Sequence, residues 1–152
     1  MSPKVYKFTY GFTTNLSFNT METLNLWAVI VSALSTFIIG GLWYSPLLFG
    51  TVWMRENGFT EEELKNGNMI KIFGLAFILG LVAAVNLAMF LGPDTDYAMG
   101  AFYGFLAGFG WVATFVGTHY LFERKPFKLF LINAGYSIVA LTVMGLIIGA
   151  WK

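Results

Sequence analysis

The sequence predicts an all-α integral membrane protein: a bundle of four transmembrane helices, with a short cytoplasmic amphipathic helix between helices 1 and 2. Three observations carry this. Of 152 residues, 57% are hydrophobic and only 11% are charged, against the ~25% charge of an ordinary soluble domain. The apolar residues gather in four runs, about Leu24–Tyr44, Ile70–Leu91, Ala98–Phe122 and Phe127–Trp151, each almost free of charge. Each run approaches the ~20 residues that cross about 30 Å of hydrocarbon. Lipid offers the backbone no hydrogen-bond partners, so runs of this length read as helices. Strands of a membrane barrel would be shorter and would alternate in polarity. The mean hydropathy of +0.69 fits a chain whose solvent is lipid.

Residues 1–21 form a polar and aromatic arm, and residues 22–152 a single four-helix transmembrane domain. The arm has no apolar core before residue 24, and no small-residue cleavage site follows the first run, so it does not read as a cleaved signal peptide. Met21 opens a more ordinary membrane-protein start, METLNLW, which makes residues 1–20 a candidate upstream-start extension. Asn15-Leu16-Ser17 fits a glycosylation sequon, which matters only on a lumenal arm of a eukaryotic protein.

The first run ends at Pro46, which removes a backbone donor and restricts Ser45 before it. Trp43, Tyr44, Phe49 and Trp53 cluster there, as aromatic rings do at a membrane–water boundary. Thr60 followed by Glu63 is a capping-box pattern, and Phe59 with Leu64 fits a hydrophobic staple. The spacing predicts a short amphipathic helix over Thr60–Asn66, ending near Gly67. Between the second and third runs lies the tight polar turn GPDTD; between the third and fourth, the short basic link ERKPFK.

Orientation follows from the cations. The first and third links hold Arg55, Lys65, Lys71, Arg124, Lys125 and Lys128; the opposite side holds Lys4, Lys7 and Lys152. The positive-inside rule places both links in the cytoplasm and both termini outside.

Small residues recur at four-residue spacing in every run: Ser32, Thr36 and Gly40; Ala76, Gly80, Ala84 and Ala88; Gly100, Gly104 and Gly108; Gly145 and Gly149. Such ridges let helix backbones approach where van der Waals packing replaces the hydrophobic effect. They serve packing within one chain or a homodimer interface.

Few polar residues interrupt the runs, so each is informative. A regular helix puts His119 within roughly 20° of Gly108, on the packed face. Asn133, Tyr136, Ser137 and Ala140 share a face of the fourth helix, so His119 and Asn133 are expected to meet across the hairpin. Histidine titrates near neutrality, which suits a proton-handling or ligand site; the structural alternative is an interhelical hydrogen bond worth about 1 kcal/mol. Asn25 and Asn86 lie near the opposite membrane face and are expected to bond across helices 1 and 2, again as a structural pair or a functional one.

Several chemistries are poorly supplied. The chain has no cysteine and one histidine, which removes thiolate catalysis and makes a histidine metal site within one chain improbable. No metal or other cofactor is expected, and no catalytic residue stands out. A net charge of +1 implies no nucleic-acid partner. No acid or base lies mid-helix, which argues against an ion-coupled pump that relies on a buried carboxylate. One histidine and no buried acid leave an enzyme little acid–base equipment. The expected partners are the lipid bilayer and either further copies of the chain or a larger membrane complex. The expected role is a non-enzymatic accessory or interaction subunit; the alternative is a small oligomeric transporter or channel that uses neutral polar groups.

Asn25-Leu26-Trp27, GGLWYSPLLFGTVW at 40–53, and HYLFERKPFKLFLINAGYSIVALTVMGLIIGAW at 119–151 are similar to a family of bacterial membrane proteins, the domain of unknown function 1761. The resemblance covers about residues 22–151, and WYSPLLFG and FERKPFKLFLINAGY are its most specific stretches. It implies four membrane helices and a bacterial cytoplasmic membrane setting, and it supplies no catalytic residues.

Overall fold

The computed structural model describes residues 24–151. The arm, with its sequon and its start-site question, lies outside the described residues, as does Lys152. Among the described residues there are helices and no strands, in the order α1 (Leu26–Trp43), α2 (Gly50–Asn57), α3 (Glu61–Lys65), α4 (Met69–Leu91), α5 (Tyr97–Phe122) and α6 (Phe127–Ala150). Four of them, α1, α4, α5 and α6, are long and apolar enough to cross a membrane. Their ends fall within two residues of the sequence boundaries, because each end carries a chemical stop. The Asn25 side chain accepts from the amides of Trp27 and Ala28 at 3.1 and 3.2 Å. Asn68 caps α4 and Asp96 caps α5 in the same way. Gly92, at φ +71°, ends α4.

The first link holds one element the sequence reading missed. After the Pro46 turn the chain forms α2, which stops at Gly58 in the left-handed region, φ +73°. That conformation is open to glycine at little cost. The short amphipathic helix follows as α3, with the Thr60–Glu63 capping box in place. Phe59 packs beside Trp53, ring centroids 5.6 Å apart, and with Leu64 lines a groove.

Helix α6 is the hub: it packs against α5 along its length, against α1, and against α4 and α2. The α5–α6 seam is built on glycines. A Cβ added at Gly100 would collide with the Gly145 carbonyl, one at Gly104 with the Leu141 carbonyl, and one at Gly149 with the Asp96 carbonyl; at Gly108 it would lie 2.7 Å from Ile138 Cα. Backbone therefore touches backbone from Gly149 at one end to Gly108 mid-span. The α1–α4 contact is looser. A Cβ at Gly80 would meet Thr36 Oγ1 at an ordinary 3.8 Å.

Helix α4 is buried only at Ala84, Leu87, Ala88 and Leu91. These join Val29, Ala33 and Met144 in the core, which sits at the end remote from the first and third links. Toward those links, the basic end of the bundle, Lys71 to Ala76 are all exposed. The bundle is thus a closed hairpin with a fourth wall attached at one end.

One irregularity changes the geometry of α5. Residues Ala107–Ala113 wind as a π-helix, which takes about one extra residue into the turn. Everything beyond it is set back by roughly 100° around the axis. The freed carbonyls are covered locally: Thr114 Oγ1 bonds Gly110 O at 2.7 Å and Trp111 O at 2.8 Å.

Candidate functional site

The π turn decides which side chains reach the basic end of the interior. His119 does not. It is exposed, and its Nδ1 lies 2.7 Å from the Phe115 carbonyl on its own helix. The expected His119–Asn133 pair is therefore absent, and the residue one place further along, Tyr120, occupies the packed position. Asn133 Nδ2 donates to the Tyr120 hydroxyl at 2.7 Å. Its Oδ1 accepts from the Tyr44 hydroxyl at 3.0 Å. One amide thus ties the end of α1 to α5 and α6.

The Pro46 turn delivers Tyr44 and Trp43 to this cluster. The amides of Tyr44, Ser45, Phe49 and Gly50 all bond backward across the turn. A Cβ at Gly50 would strike the backbone of Tyr44 and Ser45, so the reversal needs glycine there. Trp43 Nε1 donates to the Ile132 carbonyl at 3.0 Å. Tyr136 leans on Tyr44, centroids 5.3 Å apart, and its hydroxyl donates to the Thr36 carbonyl at 3.2 Å. Ser137 is turned to its own helix and donates to the Asn133 carbonyl at 3.0 Å.

Beside this cluster the splaying of α4 opens a cleft of about 670 Å³. Its walls are Thr36, Phe37, Gly40, Gly41 and Tyr44 from α1 and its end, Ile72 to Ala83 of α4, Val112 of α5, and Tyr136 to Met144 of α6. The lining is apolar except for Thr36, Ser137 and the two tyrosines, and no formally charged side chain lines it. Ile72 also borders a groove of about 430 Å³ framed by Trp53, Phe59, Glu63 and Leu64. The cleft therefore continues toward the layer formed by α2 and α3. There the Thr60 amide, and after it the Thr60 hydroxyl, donates to Glu63 and holds its carboxyl below the ordinary range.

The other expected pair is also absent. Asn25 caps α1 at the opposite end. Asn86 is exposed on α4 and donates to the Val82 carbonyl of its own helix at 2.8 Å. Asn25 stands outside the helix, where its side chain serves the first turn. Asn86 misses α1 because the buried stripe of α4 runs through Ala84, Leu87, Ala88 and Leu91.

Of the candidate positions, the structure brings together Asn133 and Tyr136 and adds Tyr44 and Tyr120. The small residues Gly100, Gly104, Gly108, Gly145 and Gly149 line the α5–α6 seam, and Gly80 and Ala84 face α1 and the core. Tyr44 and Tyr120 carried a sequence signal that the reading by polarity passed over: each is an aromatic hydroxyl next to a helix end. No cluster of three or more His, Asp or Glu that could hold a metal occurs among the described residues.

A family model described as "Protein of unknown function (DUF1761)" matches residues 27–149. The chain belongs to that family. Two stretches within the matched range are joined in space: Trp43 and Tyr44 of WYSPLLFG bond Ile132 and Asn133 of FERKPFKLFLINAGY. In this DUF1761 chain those stretches thus form one locking contact. No curated protein and no solved structure matches the chain.

Proposed function

We propose that this protein is a non-enzymatic membrane module that binds one apolar or amphiphilic molecule in the cleft between α1, α4 and α6. The cleft carries the reading. Its volume of about 670 Å³ falls in the ~300–1,000 Å³ range of ligand sites, which are mostly apolar with a few placed polar groups and occur between helices of bundles. It is the cleft, not the neutrality of its polar groups, that favours the transporter or channel class over the accessory class. The accessory reading rests on the small-residue ridges and on the lack of intramembrane charge, and the ridges of α5 and α6 are closed against each other. By the cation count the mouth opens on the cytoplasmic leaflet of a bacterial inner membrane, with both termini outside.

Ala76 lines the cleft yet is exposed, so a larger side chain there fills the space without forcing the core apart. An environment-sensitive, uncharged naphthalene probe, titrated into nanodiscs holding the protein, is expected to bind saturably at a single site. Ala76→Trp is expected to weaken that binding at least tenfold while the helix content stays the same. Equal, unsaturable partitioning into empty and loaded discs would sink the reading.

A further inference from the structure

The outward face of α4 carries a pattern that the bundle does not use. Ile72, Leu79 and Asn86 recur every seven residues, as do Leu75, Val82 and Met89 three residues after each. All six are exposed. Alternating spacings of three and four are those of the a and d positions of a coiled-coil seam. The buried stripe of α4 lies on another face, through Ala84, Leu87, Ala88 and Leu91. The α4 seam is thus complete in its spacing and faces away from the core.

Asn86 says what covers it. Helix α4 has 23 residues and is about 35 Å long at ~1.5 Å per residue, slightly more than the ~30 Å hydrocarbon core. Asn86 stands five residues before Leu91, so in a centred helix it lies roughly 5 Å inside the hydrocarbon. One N–H of its amide is bonded to the Val82 carbonyl. The second N–H and the carbonyl oxygen make no hydrogen bond among the described residues. Lipid tails leave such groups unsatisfied, at a cost of several kcal/mol for a group with no partner.

We propose that α4 is the interface of a parallel homodimer, with Asn86 of one copy bonded to Asn86 of the other. Two copies inserted with the same topology run α4 parallel, so across a two-fold axis each residue meets itself at its own depth. An asparagine amide is self-complementary: its N–H donates to the partner's carbonyl and its carbonyl accepts in return. A single asparagine at an a position also fixes register and oligomeric state. A different protein could supply a polar group, but the heptad and the self-pairing amide fit a second copy of this chain without further assumptions. Ile72 and Leu79 border the ligand cleft as well; Val82, Asn86 and Met89 do not.

The chain has no cysteine, so single-cysteine variants report proximity cleanly. In lipid vesicles, Val82→Cys and Met89→Cys are expected to cross-link on mild oxidation. Leu146→Cys, exposed on α6, serves as the off-face comparison and is expected not to. Energy transfer between labelled copies under lipid dilution measures the dimer itself. Asn86→Leu is expected to raise its dissociation constant about tenfold, and Asn86→Gln to restore most of the loss. The seam is overturned if Leu146→Cys cross-links as well as Val82→Cys. A monomer at every protein-to-lipid ratio overturns the dimer. Unchanged association of Asn86→Leu overturns the asparagine pair.

Discussion

The α5–α6 hairpin and helix α4 are made from similar residues and behave as opposites. Both carry small residues at four-residue spacing. In the hairpin those residues are glycines whose partners across the seam are backbone atoms. In α4 they are mostly alanines, and the glycine at position 80 meets its neighbours at ordinary contact distance. The difference teaches that a small-residue ridge brings backbones together only where both faces lack side chains. Where one face keeps a methyl, the helices stand apart, and a cleft can open between them.

The contrast can be broken most severely at the seam. Gly104→Leu drives a side chain into the Leu141 carbonyl, and no rotamer relieves that. It is expected to destabilise the bundle by about 3 kcal/mol, read as the shift of an unfolding curve in mixed micelles. Gly74→Ala in α4 meets nothing within 4 Å and is expected to be neutral or slightly stabilising, by up to about 1 kcal/mol. Equal losses at both positions would remove the distinction between the two regions.

Asn133→Leu removes two interhelical hydrogen bonds and leaves the Tyr44 and Tyr120 hydroxyls without it. The expected loss is about 1–2 kcal/mol, measured in the same assay. Deleting Gly110 tests the π turn that places Tyr120. One residue fewer lets the segment wind as a regular α-helix, and because the π turn already sets the far part of α5 back by one residue, the two changes cancel. Tyr120 is then expected to stay against α6 and His119 to stay exposed. A histidine proton resonance that remains open to solvent would register this, and one that becomes protected would overturn the π turn as the cause of the offset. His119→Asn in the intact chain is expected to change stability by less than about 0.5 kcal/mol, because the ring bonds only to its own helix.

The smallest effect concerns α3, which buries none of its residues. Glu63 titrates below the ordinary carboxyl range because Thr60 donates to its ionised form. Its contribution is therefore present at neutral pH and is lost as pH falls through that lowered value. Amide protection in α3, relative to the intrinsic exchange rate at each pH, should fall under acid while the four long helices keep theirs. Glu63→Gln should retain the capping-box geometry and abolish the pH dependence.

Much of this architecture was legible in the sequence. Hydropathy marks the four long helices because lipid imposes one solution on every apolar run. Their caps, Asn25, Asn68 and Asp96, are hidden from a reading by polarity, which pairs Asn25 with Asn86 instead. The capping box at Thr60 was legible because its Thr-x-x-Glu spacing is itself the local chemistry. Two further things were hidden. Helix α2 is short and flanked by aromatic residues, so it reads as an interfacial loop until Gly58 is recognised as its stop. The face of α5 beyond Ala113 was hidden because a single π turn breaks the 100° rule on which every helical-face argument rests. The signals for that turn, Gly108 and Gly110 followed by Thr114, are clear only once the carbonyls bonded by Thr114 are seen.

The lock between the WYSPLLFG turn and α6 has a consequence for biogenesis. Trp43 and Tyr44 must wait for Ile132 and Asn133, 89 positions later in the chain. Helix α6 is also the element that α1, α4 and α5 all contact, and it is the last of the four to leave the ribosome. The earlier three enter the bilayer before their shared partner exists. Insertion and assembly are therefore separate events, and a nascent chain stalled before α6 would leave its tyrosines and its glycine faces open to whatever insertase or protease reaches them first.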